Sequence, residues 1–227
     1  RRKFVQINSF LQIFDHAFEK LSFDNKQLKV VDFCCGKGYL TFALHFYLHN
    51  IKHMNTNITG IDLKRDVIDN LNDIAEKYGM TDLTFITGDI KAYDDYSDIA
   101  VGLHACDTAT DIFLSSAVRN KAKLIISVPC CQHQLFKQIE NEQLKPMLSY
   151  GLQKDRFTEM LTNTLRVLAL KSKGYSTDMV EFAPVEHTMK NVLIRATYTG
   201  KPDKDAKEEY NRLKTMFSIT DFEGDTI

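Results

Sequence analysis

Val30-Val31-Asp32-Phe33-Cys34-Cys35-Gly36-Lys37-Gly38 decides the reading of this chain. The apolar run at 28–33 has the length and branched side chains of a short buried strand, and Asp32 sits near its end. Gly36 and Gly38 follow, and helical spacing begins at once, with Leu40, Ala43, Leu44 and Tyr47 on one face of residues 38–50. Strand, acid, glycine turn and helix form one unit. Glycine lets the backbone turn tightly and come close to a ligand, so the carboxyl end of this strand is the first place to look for a site.

Working outward, the same alternation recurs. Residues 4–21 carry Phe4, Ile7, Phe10, Leu11, Phe14, Phe18 and Leu21 at helical spacing. Strands are expected at 58–62, 83–87, 99–103 and 123–128, with helices at 67–78 and 111–120 between them. Short apolar runs alternating with helices mean a parallel sheet covered on both faces, the doubly wound α/β arrangement. Ligands in such sheets lie outside the carboxyl ends of the strands, near the point where strand order reverses.

The last third changes character. A helix is expected at 151–173, then strands at 175–183 and 192–198. Only 184–191 separates these strands, too short for a parallel crossover, so they must pair as an antiparallel hairpin. The expected architecture is therefore a mostly parallel, seven-stranded sheet ending in an antiparallel hairpin. Residues 1–200 read as one domain with an N-terminal helix, and 201–227 as a charged helical tail.

The chain has 227 residues, 44% hydrophobic and 26% charged, an ordinary globular balance for one large domain. Its formal net charge of −1 excludes a polycation, so contact with nucleic acid needs a local basic patch or another domain. Cys34, Cys35, Cys106, Cys130 and Cys131 form two adjacent pairs and one single residue, which suits a reducing cytoplasm better than a disulfide framework. No apolar run reaches the roughly 18–20 residues of a membrane span. The chain opens at Arg1-Arg2-Lys3 without Met, as expected for a piece of a longer protein with a further N-terminal domain.

Two more acids close strands. Asp62 ends Gly60-Ile61-Asp62, where a carboxylate can accept both hydroxyls of a ribose. Asp89 ends Thr87-Gly88-Asp89-Ile90. A single such Asp is usually a helix cap, but acids at three successive strand ends form a pattern. Binding of NAD(P) is disfavoured, because Leu40 and Thr41 stand where G-x-G-x-x-G requires its third glycine. On the other half of the sheet, the fourth strand runs into Gly102-Leu103-His104-Ala105-Cys106-Asp107-Thr108-Ala109-Thr110-Asp111. The fifth runs into Val128-Pro129-Cys130-Cys131-Gln132-His133, and the hairpin loop carries Glu186, His187, Lys190 and Asn191. Each could be bland: cysteines as small core residues, Asp107 and Asp111 as helix caps, Glu186 and His187 as solvated turn residues. Their convergence on one side of the sheet favours a shared cleft.

These motifs carry a resemblance. Asp32 followed by Cys34-Cys35-Gly36-Lys37-Gly38 resembles the first motif of class I S-adenosylmethionine-dependent methyltransferases, an acid before G-x-G-x-G, with Cys34 in place of the first glycine. G-L-H-A-C-D-T-A-T-D, V-P-C-C-Q-H and E-H-T-x-K-N resemble the methyltransferase family that includes the eukaryotic tRNA acceptor-stem 2′-O-methyltransferases. The same family contains the methyltransferase half of the glutathione S-transferase C-terminal-domain-containing protein. The likeness runs from about Phe4 to Tyr198.

The resemblance implies a Rossmann-like fold and S-adenosylmethionine as cofactor. It places Asp32 near the donor's ammonium group, Asp89 at the adenine amino group and Ile90 against the ring, with Cys34, Gly36, Gly38 and Asp62 completing the cofactor site. It also implies an acceptor with an oxygen or nitrogen nucleophile, RNA among the candidates; the lack of a long apolar run adds the expectation of no membrane partner. The RNA-modifying members carry separate zinc-binding segments, and nothing comparable stands in this sequence.

The expected reaction is an in-line displacement, so positioning should supply most of the rate. A hydroxyl or protonated amine also needs a base. The candidate catalytic residues are His104, Asp107, Cys130, Cys131, His133, His187 and Lys190, with Lys190 suited to orienting an anionic group. Cys106, Cys130, Cys131, His104 and His133 offer zinc-type ligands, but adjacent cysteines chelate poorly and C-x₂-C is absent, so no metal is assigned. The alternatives are a methyltransferase acting on protein or a small molecule, and a non-catalytic donor-binding module.

Overall fold

The alternation read from the sequence becomes one seven-stranded sheet in a computed structural model that describes residues 2–23, 27–103, 105–181 and 191–227. Helix α1 (Arg2–Phe18) precedes β1 (Leu28–Phe33), α2 (Tyr39–His45), β2 (Thr56–Asp62), α3 (Arg65–Lys77), β3 (Leu83–Thr87), β4 (Ile99–Leu103), α4 (Thr108–Arg119) and β5 (Leu124–Val128). Two single-turn helices, α5 (His133–Phe136) and α6 (Lys145–Leu148), lead to α7 (Gly151–Ser172). Strands β6 (Tyr175–Glu181) and β7 (Val192–Tyr198) and helix α8 (Lys204–Met216) complete the order.

The strands lie in the order β3-β2-β1-β4-β5-β7-β6. The first five are parallel, and β7 runs antiparallel to both β5 and β6. The hairpin inferred from the short 184–191 connection is thus present, with Tyr175 opposite Tyr198 and Glu181 opposite Val192. Chain order reverses between β1 and β4, which sets the switch point of the sheet beside the glycine turn.

Strands buried on both faces read as continuous apolar runs. In β5, Leu124, Ile125, Ile126 and Val128 are all fully buried. One core layer packs α1, α2 and α3 on the sheet through Phe10, Phe14, Leu44, Ile68 and Leu71. The other packs α4 and α7 through Phe113, Leu114, Leu165 and Leu170. Differences from the expected boundaries are local. The helix expected at 38–50 is α-helical only to His45 and continues as a π-helical turn, Phe46–Ile51. Helix α4 begins three residues early, because Asp107 already turns the chain with a positive φ of 49°.

The charged stretch after β7 has an apolar side. Ala206 and Tyr210 of α8 are buried, and Phe217, Ile219, Phe222 and Ile227 join the core beside α4 and α7. Tyr210 donates to Asp225 at 2.6 Å, and Ser115 of α4 donates to the carbonyl of Thr226 at 2.8 Å. Among the described residues no helix is long and apolar enough to cross a membrane.

Candidate active site

The turn after β1 is built on three left-handed residues. Cys34, Gly36 and Gly38 have φ of 59°, 53° and 69°. Cys34 therefore pays a strain that glycine avoids. At Gly38 a Cβ would come within 2.9 Å of Leu71, so the close seating of the turn on α3 needs glycine there. At Gly36 a Cβ would meet only the Cys34 carbonyl at 4.0 Å, so the backbone here borders open space. The Gly36 amide donates to Asp62 Oδ2 at 3.0 Å, and the Cys35 amide donates to the Ile61 carbonyl at 2.9 Å. The end of β2 thus fixes the shape of the turn after β1.

A cavity of about 330 Å³ opens on this turn. Its wall includes Asp32, Cys34, Gly36 and Asp62. Asp32 is 1% exposed, and its Oδ2 accepts a hydrogen bond from the Thr41 hydroxyl at 2.7 Å. Burial pushes the Asp32 carboxyl up to about 7, with the Asp62 charge adding to the rise and Thr41 opposing it. A cation placed beside it would restore the ionised form. Burial also pushes the Cys34 thiol up to about 12, with Asp62, Asp32 and Cys106 adding to it. Cys34 is thus a neutral thiol at neutral pH.

Asp89 and Ile90 lie one strand further out and do not line this cavity. Asp89 is exposed and accepts the Lys91 amide at 2.9 Å, capping the short 3₁₀ turn Ile90–Ala92, while Ile90 is buried in the core. Among the residues that sequence reasoning missed are Thr41 and three from α1. Thr41 lies one helical turn into α2, where it stood out only as an absent glycine. Lys3, Gln6 and Ile7 of α1 reach the cavity, and Lys3 stacks on the Tyr39 ring at 4.9 Å from its centre. A signal existed: Lys3, Gln6 and Ile7 share a helical face with the buried Phe10 and Phe14, so the stripe that packs α1 runs on past the sheet edge.

The turns after β4 and β5 converge, because both strands are parallel and adjacent. Cys106 Sγ lies 3.1 Å from Cys130 Sγ and 3.7 Å from Cys131 Sγ, and the two adjacent thiols are 3.7 Å apart. Cys106 is exposed and the other two are half-buried, so none serves as a core residue. Burial, and then Cys106, push the thiols of Cys130 and Cys131 up.

Asp107 has φ 49° and ψ −121°, a conformation rare outside glycine. Its carboxylate does not cap its own helix. Both oxygens accept the Gln134 amide, at 3.2 and 3.3 Å, which ties the β4 turn to the start of α5. Behind it lies a buried ion pair. Arg166 of α7, 1% exposed, grips both oxygens of Asp111 at 2.8 Å and donates to the Asp107 carbonyl at 3.0 Å. Asp111 is therefore an ion-pair partner, not a cap. His133 is exposed at the first residue of α5. His104, Glu186, His187 and Lys190 lie outside the described residues.

A sheet of this order, with its seventh strand inserted antiparallel beside the fifth and a glycine turn facing a carboxylate-lined cavity at the switch point, defines the Rossmann-like methyltransferase class. A family model described as a methyltransferase domain matches residues 2–138, and the chain belongs to that family. It is similar to the human "Glutathione S-transferase C-terminal domain-containing protein", 24% identical over 191 residues, covering 73% of this chain and 29% of that protein. The Drosophila melanogaster homolog is 32% identical over 126 residues, covering 56% and 19%. The chain thus spans less than a third of the length of these curated relatives.

Among solved structures, it resembles the CMeT domain of the citrinin polyketide synthase with a TM-score of 0.52 at 13% identity, covering 88% of this chain and 53% of that one. It also resembles magnesium protoporphyrin IX methyltransferase from Synechocystis PCC 6803 with bound SAH, with a TM-score of 0.51 at 14% identity, covering 87% and 83%. At these identities the likeness is one of fold.

Proposed function

We propose that this domain holds S-adenosylmethionine in the cavity after β1 and β2 and transfers its methyl group to an oxygen or nitrogen nucleophile approaching from the β4 and β5 turns. The observation that carries this reading is Asp32: a buried carboxyl, raised to about 7, lining a cavity together with Asp62 and the open Gly36 backbone. That donor set fits the ligand. Asp32 suits an ammonium group, and Asp62 suits a pair of ribose hydroxyls. The bound donor would supply an electrophilic methyl group.

This chain's own residues would do the rest. Asp62 holds the Gly36 turn open while offering its remaining acceptor capacity to the cavity. Lys3, Gln6 and Ile7 of α1 border the cavity and would contact its occupant. Asp107 and His133 are the candidate bases among the described residues, with His104 and His187 proposed as bases from the sequence alone and Lys190 proposed to orient an anionic group. Lys3 and Lys37 line the cavity beside Asp32 and Asp62, in a chain with net charge −1. RNA is the acceptor we propose, on the resemblance of the β4 and β5 turn motifs to those of RNA-modifying methyltransferases.

Two measurements test the reading. Calorimetry with S-adenosylhomocysteine and with NAD should give heat only for the former; heat from NAD alone overturns the donor assignment. Transfer of a labelled methyl group to RNA or protein fractions, taken from cells lacking the gene, should label RNA; label confined to protein overturns the acceptor.

A further inference from the structure

The three thiols at the β4 and β5 turns form a group that methyl transfer as derived above does not use. Each is contributed by a strand end, and Cys106 stands 24 residues from Cys130 in sequence. Cys130 and Cys131 by themselves chelate poorly, because neighbouring residues close too small a ring. The structure brings a third thiol from the adjacent strand and turns both neighbours toward it. Ligands ~2.3 Å from a tetrahedral zinc ion lie about 3.8 Å from each other. Two of the three sulfur separations are 3.7 Å; the third, 3.1 Å, widens by a small swing of exposed Cys106.

The frame that holds these thiols is stiff. The Asp107 carboxylate binds the Gln134 amide just after Cys130-Cys131-Gln132-His133, and Arg166 grips the Asp107 carbonyl just after Cys106. Both turns are therefore fixed relative to one another before any ion arrives. A disulfide would pair two of these sulfurs and leave the third, whereas one ion engages all three.

We propose that Cys106, Cys130 and Cys131 form a three-thiolate site for a thiophilic divalent ion of the zinc class. Among the described residues no further His, Cys, Asp or Glu joins the group, and a tetrahedral ion takes a fourth ligand beyond these three thiolates. Binding converts three neutral thiols and one divalent cation into a tris-thiolate complex of net charge −1 and releases three protons. Where the fourth ligand is the methyl acceptor, the ion would lower the pKa of its bound hydroxyl or thiol. This role at the acceptor rests on the methyl-transfer reading; the binding of the ion does not.

The test uses the full chain, purified under reducing conditions without chelator. Elemental analysis should find about one zinc per chain. After metal removal, Co²⁺ titration should raise a thiolate-to-cobalt charge-transfer band that saturates near one equivalent and is bleached by Zn²⁺. Cys106→Ser and Cys130→Ser should lose the band, whereas Cys35→Ser, outside the group, should keep it. If the serine variants fail to fold, the wild-type titration and a thiol count in denaturant still decide. No thiolate band in the wild-type chain overturns the proposal, as does a band retained by both serine variants. A count of three reactive thiols where the sequence has five, with no bound ion, overturns it in favour of a disulfide. Calorimetry with S-adenosylhomocysteine on the metal-free chain keeps the donor reading separate: it can fail while the cobalt titration succeeds, and the reverse.

Discussion

The two halves of the sheet edge are built differently. On the β1–β2 side, backbone and carboxylates do the work: three left-handed residues, an amide bound to Asp62, and a buried Asp32 with one hydroxyl partner. Its parts lie within a few residues of a strand end, and α1 borders it. On the β4–β5 side the backbone turns at the strained residue Asp107, and the structure is held by groups far apart in sequence. A buried Arg166–Asp111 pair stands behind it and three thiols stand in front. The first half suits a ligand of fixed shape. The second is a rigid frame around reactive side chains, as expected where an acceptor must be positioned.

The largest expected effect lies behind the second half. Arg166→Met leaves Asp111 as an unpaired buried charge, and the cost should be about 3–5 kcal/mol in urea unfolding. The double variant Arg166→Met/Asp111→Leu should recover much of that stability, since a buried pair replaced by apolar residues is often neutral. If the single variant loses less than ~1 kcal/mol, water reaches the pair and the frame is softer than its burial suggests.

The next effect concerns Asp32 and has a definite sign. Its folded carboxyl is raised to about 7 from 3.8. Between these values the folded domain holds a proton that the unfolded chain has released. Stability of the ligand-free domain therefore falls as pH rises through that window and levels off above it. Asp32→Asn should remove this slope and leave the domain a few kcal/mol more stable than wild type near pH 8, while weakening the donor. Donor binding to the wild type should release a proton near pH 6, seen as a dependence of the calorimetric heat on buffer ionisation. Parallel stability profiles for variant and wild type would show a solvated carboxyl and erase this contrast between the halves.

A smaller effect separates the carboxylates of the first half. Asp62→Ala should weaken S-adenosylhomocysteine binding by about 1.5–3 kcal/mol, because it removes a charged acceptor from the cavity and releases the Gly36 amide. Asp89→Ala should change it less, since that carboxylate is exposed, caps its own turn and does not line the cavity. A reversed order of affinities would move the ribose to the β3 end.

The smallest stability effect is expected at Asp107. Glycine tolerates its φ of 49°, so Asp107→Gly relieves strain while losing two long contacts to Gln134. The net change should stay below about 1 kcal/mol, with turnover strongly reduced and donor affinity nearly unchanged. Intact turnover would make Asp107 a structural clamp only.

Much of the fold and half of the site were legible in the sequence. The parallel strands follow from short apolar runs alternating with helices, and the antiparallel hairpin from a connection too short to cross over. The glycine turn and the strand-end acids follow from local chemistry, and Asp32 and Asp62 do line one cavity. These features depend on spacing between near neighbours along the chain, which a sequence states directly.

Tertiary structure decided the rest. Thr41 reaches Asp32 because a helical turn brings it over the strand end, and Lys3 reaches the cavity because the packed face of α1 overhangs the sheet. Arg166 supports Asp107 across 59 residues, and Cys106 meets Cys130 across 24. No periodicity encodes such meetings. They arise when separately formed helices and strands settle into one close-packed core, where the position of each side chain depends on every segment packed beneath it.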